Sequence, residues 1–318
     1  MERRKFLQNS ALASSIAFIP GLSMSSIPVA TLKSVGVQLF SLPKMLERDF
    51  AGGIKVLSAM GYKEIQMYGP FPFTVDSVKA SWKAITPMLG FEGSGYFGHS
   101  PQEVRDILDE FGIKATATHL DLETLQTRMN QVGDAADMLG FKYVGIAAIP
   151  EEKRKTLDDY KKMAETFNDI GEKAKKAGLK FAYHNHGYGL KEMNGKIPLQ
   201  VIIEETDPGL VKLEMDIFWT TAGGANPVDY LKAYPKRYRL MHLKDMKEIR
   251  HFSGDGGNPQ EWMELFPLMT TLGSGAMDLQ TIIEAARKSG VKHFYVEQDM
   301  VANPEIALKV SLDYLKSL

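Results

Sequence analysis

From Ser34 onward, short apolar runs alternate with longer amphipathic stretches, and the two periods can be told apart along the chain. The apolar runs predict strands over Val35–Phe40, Glu64–Tyr68, Lys114–His119, Tyr143–Ile149, Lys180–His186, Val211–Ile217, Tyr238–Lys244 and His293–Asp299. Between them, helical periodicity predicts Met45–Met60, Val75–Leu89, Pro101–Phe111, Leu122–Leu139, Lys155–Lys176, Pro198–Glu205, Pro227–Ala233 and Leu279–Ser289. A last helix is expected over Pro304–Lys316, with Asn303 placed to cap it and Pro304 in its first turn, where a missing N–H costs nothing.

Five junctions repeat one device. Gly61, Gly112, Gly140, Gly178 and Gly290 each follow a helical stretch and precede an apolar run, the place where a left-handed residue lets the chain turn into the next strand. A recurring β-α unit with eight strands predicts an α/β fold, a single closed (β/α)8 TIM barrel, rather than an open sheet. The first strand-helix turn, Phe40-Ser41-Leu42-Pro43, carries no dinucleotide-binding glycine pattern. The rhythm breaks once, between Lys244 and Leu279. There the Gly-rich run His251 to Pro259 and Gly273-Ser274-Gly275 predict a long irregular connection at the C-terminal end of the barrel, where such loops build lids and binding surfaces.

Composition narrows the chemistry. The chain has 318 residues, 44% of them hydrophobic and 24% charged, enough for one large core. Its formal charge is -1, and residues 1–30 contribute +2 (Glu2 against Arg3, Arg4 and Lys5), which leaves -3 for the remainder and no electrostatic footprint for nucleic acid. There is no cysteine, so a thiolate nucleophile and thiolate metal ligands are excluded. Arg3-Arg4-Lys5-Phe6-Leu7, followed by the apolar and small residues Ala11 to Ile19, has the order of a twin-arginine export signal. Residues 1–30 are therefore expected to be a leader that directs a barrel of residues 31–318 to the periplasm. No later stretch has the roughly 18 apolar residues of a membrane span, so no stable membrane insertion is expected.

Alternate strand residues face the same side, which sorts the polar ones. Glu214 and Asp216 share the barrel interior. By the same rule His184 pairs with His186, His242 with Lys244, and Tyr295 with Glu297 and Asp299. Gln38, Gln66 with Tyr68, and His119 hold comparable late positions on the first three strands. Taken singly, each has a plainer role, such as Asp216 pairing with Lys212 or Lys244. Convergence on one barrel end changes the weight, because buried charges need partners or a cation. Imidazoles and carboxylates without thiolate suit one divalent ion such as Mn, Zn, Co or Mg. Trp219 follows a candidate ligand strand and can stack on a sugar face.

These same segments carry a resemblance. Val-Gly-Val-Gln-Leu-Phe-Ser (35–41), Tyr-His-Asn-His (183–186), Leu-Glu-Met-Asp-Ile-Phe-Trp (213–219), Met-His-Leu-Lys-Asp-Met (241–246), Leu-Gly-Ser-Gly (272–275) and Tyr-Val-Glu-Gln-Asp (295–299) resemble the xylose-isomerase-like TIM-barrel family of sugar phosphate isomerases and epimerases, which includes inosose dehydratase. The resemblance implies four metal ligands, with Asp216, His242 and Glu297 matching three of them. At the fourth, where epimerase-type members place Glu, this chain has His184, in a His-Asn-His like that of inosose dehydratase. It implies proton abstraction next to a carbonyl, with Glu297 or His186 as base, Lys244 and His119 donating to substrate oxygens, and Gln38, Tyr68 and Trp219 as further substrate contacts. The leading expectation is a metal-dependent isomerase or epimerase acting on an unphosphorylated sugar or keto-sugar. The alternatives are a lyase or dehydratase that expels a β-leaving group, and a non-catalytic periplasmic sugar-binding barrel. Two further readings are a glycosidase using Glu214 and Glu297, and a DNA-repair endonuclease, which the charge disfavours. The expected partner is a small carbohydrate, with no nucleic acid, and relatives of this kind are often homo-oligomers.

Overall fold

The computed structural model describes Leu32 and residues 34–318. The expected leader at residues 1–30 lies outside the described residues. Eight strands close into a parallel barrel: β1 (Gly36–Gln38), β2 (Glu64–Tyr68), β3 (Lys114–Leu120), β4 (Tyr143–Ile146), β5 (Lys180–His184), β6 (Val211–Asp216), β7 (Tyr238–Leu243) and β10 (His293–Val296), with β10 returning to pair with β1. β8 (Asp245–Met246) and β9 (Met269–Thr270) form a separate antiparallel ribbon. The (β/α)8 expectation is met. All five junction glycines adopt positive φ, from 64° at Gly112 to 109° at Gly61, so a side chain there would be strained.

Several expected elements are shorter or divided. The helix expected over Met45–Met60 is two, Pro43–Arg48 and Phe50–Met60. They are separated by extended Asp49, whose carboxylate accepts the Gly52 N–H at 2.8 Å and caps the second. The helix expected over Leu122–Leu139 breaks at Arg128 into Leu122–Thr127 and Met129–Leu139. The first strand ends at Gln38, with Leu39–Ser41 in a 3-10 turn. Asn303 occupies the cap position of the last helix, but its side chain makes no capping hydrogen bond. Residues 244–279 are not irregular throughout: the β8–β9 ribbon and helix Pro259–Leu265 give them a core of their own, in which Phe252, Trp262 and Phe266 gather around Trp219.

The barrel interior is filled in layers, as such barrels require. A middle layer of Ala117, Tyr143, Ala182, Leu240 and Tyr295 plugs it. Tyr295 fits because β1 carries Gly36 beside it; a Cβ at Gly36 would fall 2.5 Å from the Tyr295 ring. Above that plug, toward the C-terminal ends of the strands, the inward positions turn polar, except on β4, where Gly145 makes room for His119.

Candidate active site

Register brings the polar residues to one level. Asp216 is the Cα partner of His242, His184 of Glu214, and Tyr68 of His119. His186, Lys244, Glu297 and Asp299 lie just beyond their strands, carried on by the same alternation. On β4, Gly145 leaves the space that His119 fills; a Cβ there would meet His119 Cδ2 at 3.0 Å.

Two groups of ligand-type atoms result, and they share His242. In the first, the Glu214 carboxylate lies 2.5 Å from His119 Nε2, 3.2 Å from His184 Nδ1 and 3.3 Å from His242 Nε2. Gln66 donates to Glu214 Oε1 at 2.7 Å, and Gln38 donates to Gln66 Oε1 at 2.8 Å. In the second, His242 Nδ1 lies 2.5 Å from Glu297 Oε2 and 3.9 Å from Asp216 Oδ2. The Lys244 ammonium stands 3.2 Å from Asp216, 2.8 Å from Glu297 and 2.8 Å from Asp299. Of the two partners considered for Asp216, Lys244 is the one it has; Lys212 reaches the Pro208 carbonyl instead.

Electrostatics follow from burial and these neighbours. Burial opposes charge on Glu214, but His242 and His119 hold its carboxyl well below the usual range. Glu297 behaves likewise: burial pushes it up, and Lys244 and His242 outweigh this and keep it ionised. Burial would lower His242, yet Glu297 and Glu214 raise it to about 10, whereas burial with His242 nearby takes His184 down to about 4. Asp299 moves the other way, pushed up to about 7 by burial and then by Glu297, against the pull of Lys244.

These residues fit a divalent cation. Four buried carboxylates, those of Glu214, Asp216, Glu297 and Asp299, share this end of the barrel with Lys244, the one buried lysine among the described residues. Asp216 Oδ2 and His184 Nδ1 are buried and make no hydrogen bond; each has one ionic neighbour at 3.2 Å, Lys244 and Glu214 respectively, and keeps a lone pair that a cation could take. Asp216, His242 and Glu297 converge closely enough to hold one, with His184 Nε2 3.8 Å from Asp216 Oδ2. The sequence placed all four predicted ligands in one set; the geometry instead groups His184 with His119 and Glu214. Glu214, Gln66 and Asp299 take larger parts than their sequence positions disclosed, because their partners lie across the barrel.

The remaining predicted residues divide. His186 is half-buried, makes no hydrogen bond through Nδ1, and packs edge-on to Trp262 with ring centroids 5.1 Å apart. Burial, then His184, holds it well below its usual value and so neutral. Trp219 lies 5.9 Å from His186 and is stacked on Phe252. Its buried Nε1–H is also unpartnered. Tyr68, by contrast, donates its hydroxyl to the Gly93 carbonyl at 2.8 Å and packs against Phe40 and Trp82. Gln38 supports Gln66 rather than the mouth.

Comparison with known proteins agrees with the barrel fold. The inosose dehydratase of Clostridium perfringens is 28% identical over 279 residues, 83% of this chain and 88% of that protein. The match to the inosose dehydratase of Bacillus anthracis, 30% identical over 113 residues, takes in 34% of this chain, which thus spans 37% of that relative's length. A sugar phosphate isomerase/epimerase from Parabacteroides distasonis superposes with a TM-score of 0.70 at 23% identity, over 91% of this chain and 96% of that one. The IOLI protein with a binding zinc atom gives 0.63 at 16% identity, over 89% and 97%. The family model of the xylose isomerase-like TIM barrel matches residues 54–318, and the chain belongs to that family.

Proposed function

We propose that this protein is a metal-dependent lyase of the dehydratase type. It removes a proton from the carbon next to a carbonyl in an unphosphorylated sugar-like ketone and expels a β-hydroxyl or β-glycosyl group. The observation that carries this reading is the inequality of the groups at the mouth. On the aromatic side stands His186, neutral and unpartnered, in the form of a base. On the charged side stands Asp299, buried, its Oδ2 accepting from Lys244 and its Oδ1 unpartnered, in the place of an acid.

Asp216, His242 and Glu297, with His184 beside them, would hold a divalent ion, whose charge would draw electrons from a substrate carbonyl. His186 takes the α-proton. The electron pair left behind expels the β-substituent, and Asp299 gives its proton to the departing oxygen, so that water or an alcohol leaves and a conjugated enone remains. Lys244, surrounded by three carboxylates, has no donor to spare for substrate; it orients Glu297 and Asp299 and keeps Glu297 ionised. Half-buried Trp262 gives the apolar face on which a sugar ring packs, and Trp219, 1% exposed and stacked on Phe252, backs it from within.

Isomerisation and epimerisation share the first step. A symmetric epimerase needs a free base on each face, and the second buried carboxylate on β6, Glu214, is engaged by Gln66 and His119. The inosose dehydratases among the relatives support elimination as well. The excess of carboxylates disfavours a phosphorylated substrate. Export through residues 1–30, which we propose on sequence grounds, favours an unphosphorylated one too. His186→Asn is expected to abolish both solvent exchange of the α-proton and product formation. Asp299→Asn should keep exchange but lose elimination by a factor on the order of a hundred or more. Equal loss of both steps in the two variants would remove the assignment of roles.

A further inference from the structure

His242 turns its two ring nitrogens to different neighbourhoods. Nδ1 faces Glu297 and Asp216 at the mouth. Nε2 faces inward, 2.5 Å from Gln66 Oε1 and 3.3 Å from Glu214 Oε1. One ion cannot sit on both nitrogens, because their lone pairs point apart in the plane of the ring. On the inner side, His119, His184 and Glu214 present three more ligand atoms, and with His242 all four lie within 4.8 Å of one another. Donors on a tetrahedral ion with bonds near 2.0–2.1 Å stand about 3.3 Å apart; Glu214 Oε2 is 3.2 Å from His184 Nδ1 and Glu214 Oε1 is 3.3 Å from His242 Nε2, while His119 Nε2, now at 2.5 Å from Oε2, would move outward to bind.

His184 Nδ1 gives an independent sign. The residue is 1% exposed, and this nitrogen makes no hydrogen bond although Glu214 Oε2 is 3.2 Å away. It is aimed into the group, and Glu214, a member of the same group, is its ionic neighbour. Glu214 itself is held for the purpose by Gln66, which Gln38 holds in turn. Three imidazoles with one carboxylate and no thiolate form a zinc-type donor set.

We infer that the barrel holds a second, deeper divalent-metal site made by His119, His184, Glu214 and His242 Nε2, distinct from the site at the mouth. With both sites filled, His242 gives up both ring protons and bridges them. The deep ion then anchors His242 and His184 from behind, and the mouth residues act on substrate in front of it. This second site goes beyond the reaction proposed above and does not depend on it.

The test is a count of metal. Full-length protein stripped by chelator is titrated with zinc alone, and bound zinc is measured by mass spectrometry after gel filtration. Two ions per wild-type chain are expected, with one in His119→Gln and one in Asp216→Asn. Circular dichroism checks that each variant is folded. One ion per wild-type chain that is lost in Asp216→Asn and kept in His119→Gln overturns the deep site and leaves the mouth site standing, and none overturns both. Two ions retained by folded His119→Gln also overturn it, since the second would then lie elsewhere. A wild-type count of two or of none decides the matter even where a variant fails to fold.

Discussion

Glu64 and His293 meet at the N-terminal end of the barrel, their side chains 2.7 Å apart and the tyrosine plug between them and the metal-type residues. Burial would raise the Glu64 carboxyl, but the hydrogen bond and charge of His293 outweigh it and hold it below its ordinary value of about 4.3. A carboxylate with a lowered folded value contributes stability that is complete above the unfolded value and is lost as pH falls through the folded one. Glu64→Gln should therefore unfold at lower temperature than wild type at pH 7, with the gap closing in acid; a gap that stays constant through the acid limb would contradict this. Residues on one strand were legible in the sequence by alternation, which put Glu214 with Asp216 and Glu297 with Asp299. Partners on different strands were not. Nothing local tells that Tyr68 ends on Gly93 while His186 stays free.

The element with most consequence is the segment after β7, which the sequence marked as irregular from its glycines. Those glycines are positioned by two carboxylates. Asp245 accepts the backbone N–H groups of Gly273 at 2.9 Å and Gly275 at 3.0 Å, and Glu261 accepts those of Gly254 and Gly256. Arg154 ties the segment to the barrel by donating to the Gly257 carbonyl at 2.8 Å. Removing Glu261 leaves two amides without their acceptor, at a cost of about 1–3 kcal/mol each if they stay buried. Glu261→Ala should speed hydrogen exchange across residues 252–258 by roughly ten-fold or more while barely moving the melting temperature of the barrel. Unchanged exchange there would show that Glu261 does not hold the loop. The divided helices were not read from periodicity, which runs through both breaks: Asp49 caps the second half of one with its side chain, and Arg128 has no capping side chain to mark the other.

At the scale of the molecule, the β-α repeat and its five left-handed glycines made the barrel readable, because each junction is a local problem solved in one way. The site was readable as a location, the C-terminal ends of the strands, and only partly as an arrangement. The fold gathers four carboxylates and three imidazoles around Lys244 and His242 and closes them beneath an aromatic cap. We propose metal-assisted proton abstraction followed by elimination as the chemistry of that arrangement. The most direct measurement is incubation of metal-loaded enzyme in D2O with unphosphorylated ketoses, inososes and 3-keto-glycosides, followed by NMR. Deuterium at the carbon next to the carbonyl, together with release of water or an alcohol and appearance of an enone, is the predicted result. Clean inversion at a single carbon, with deuterium only there and no eliminated product, would contradict it.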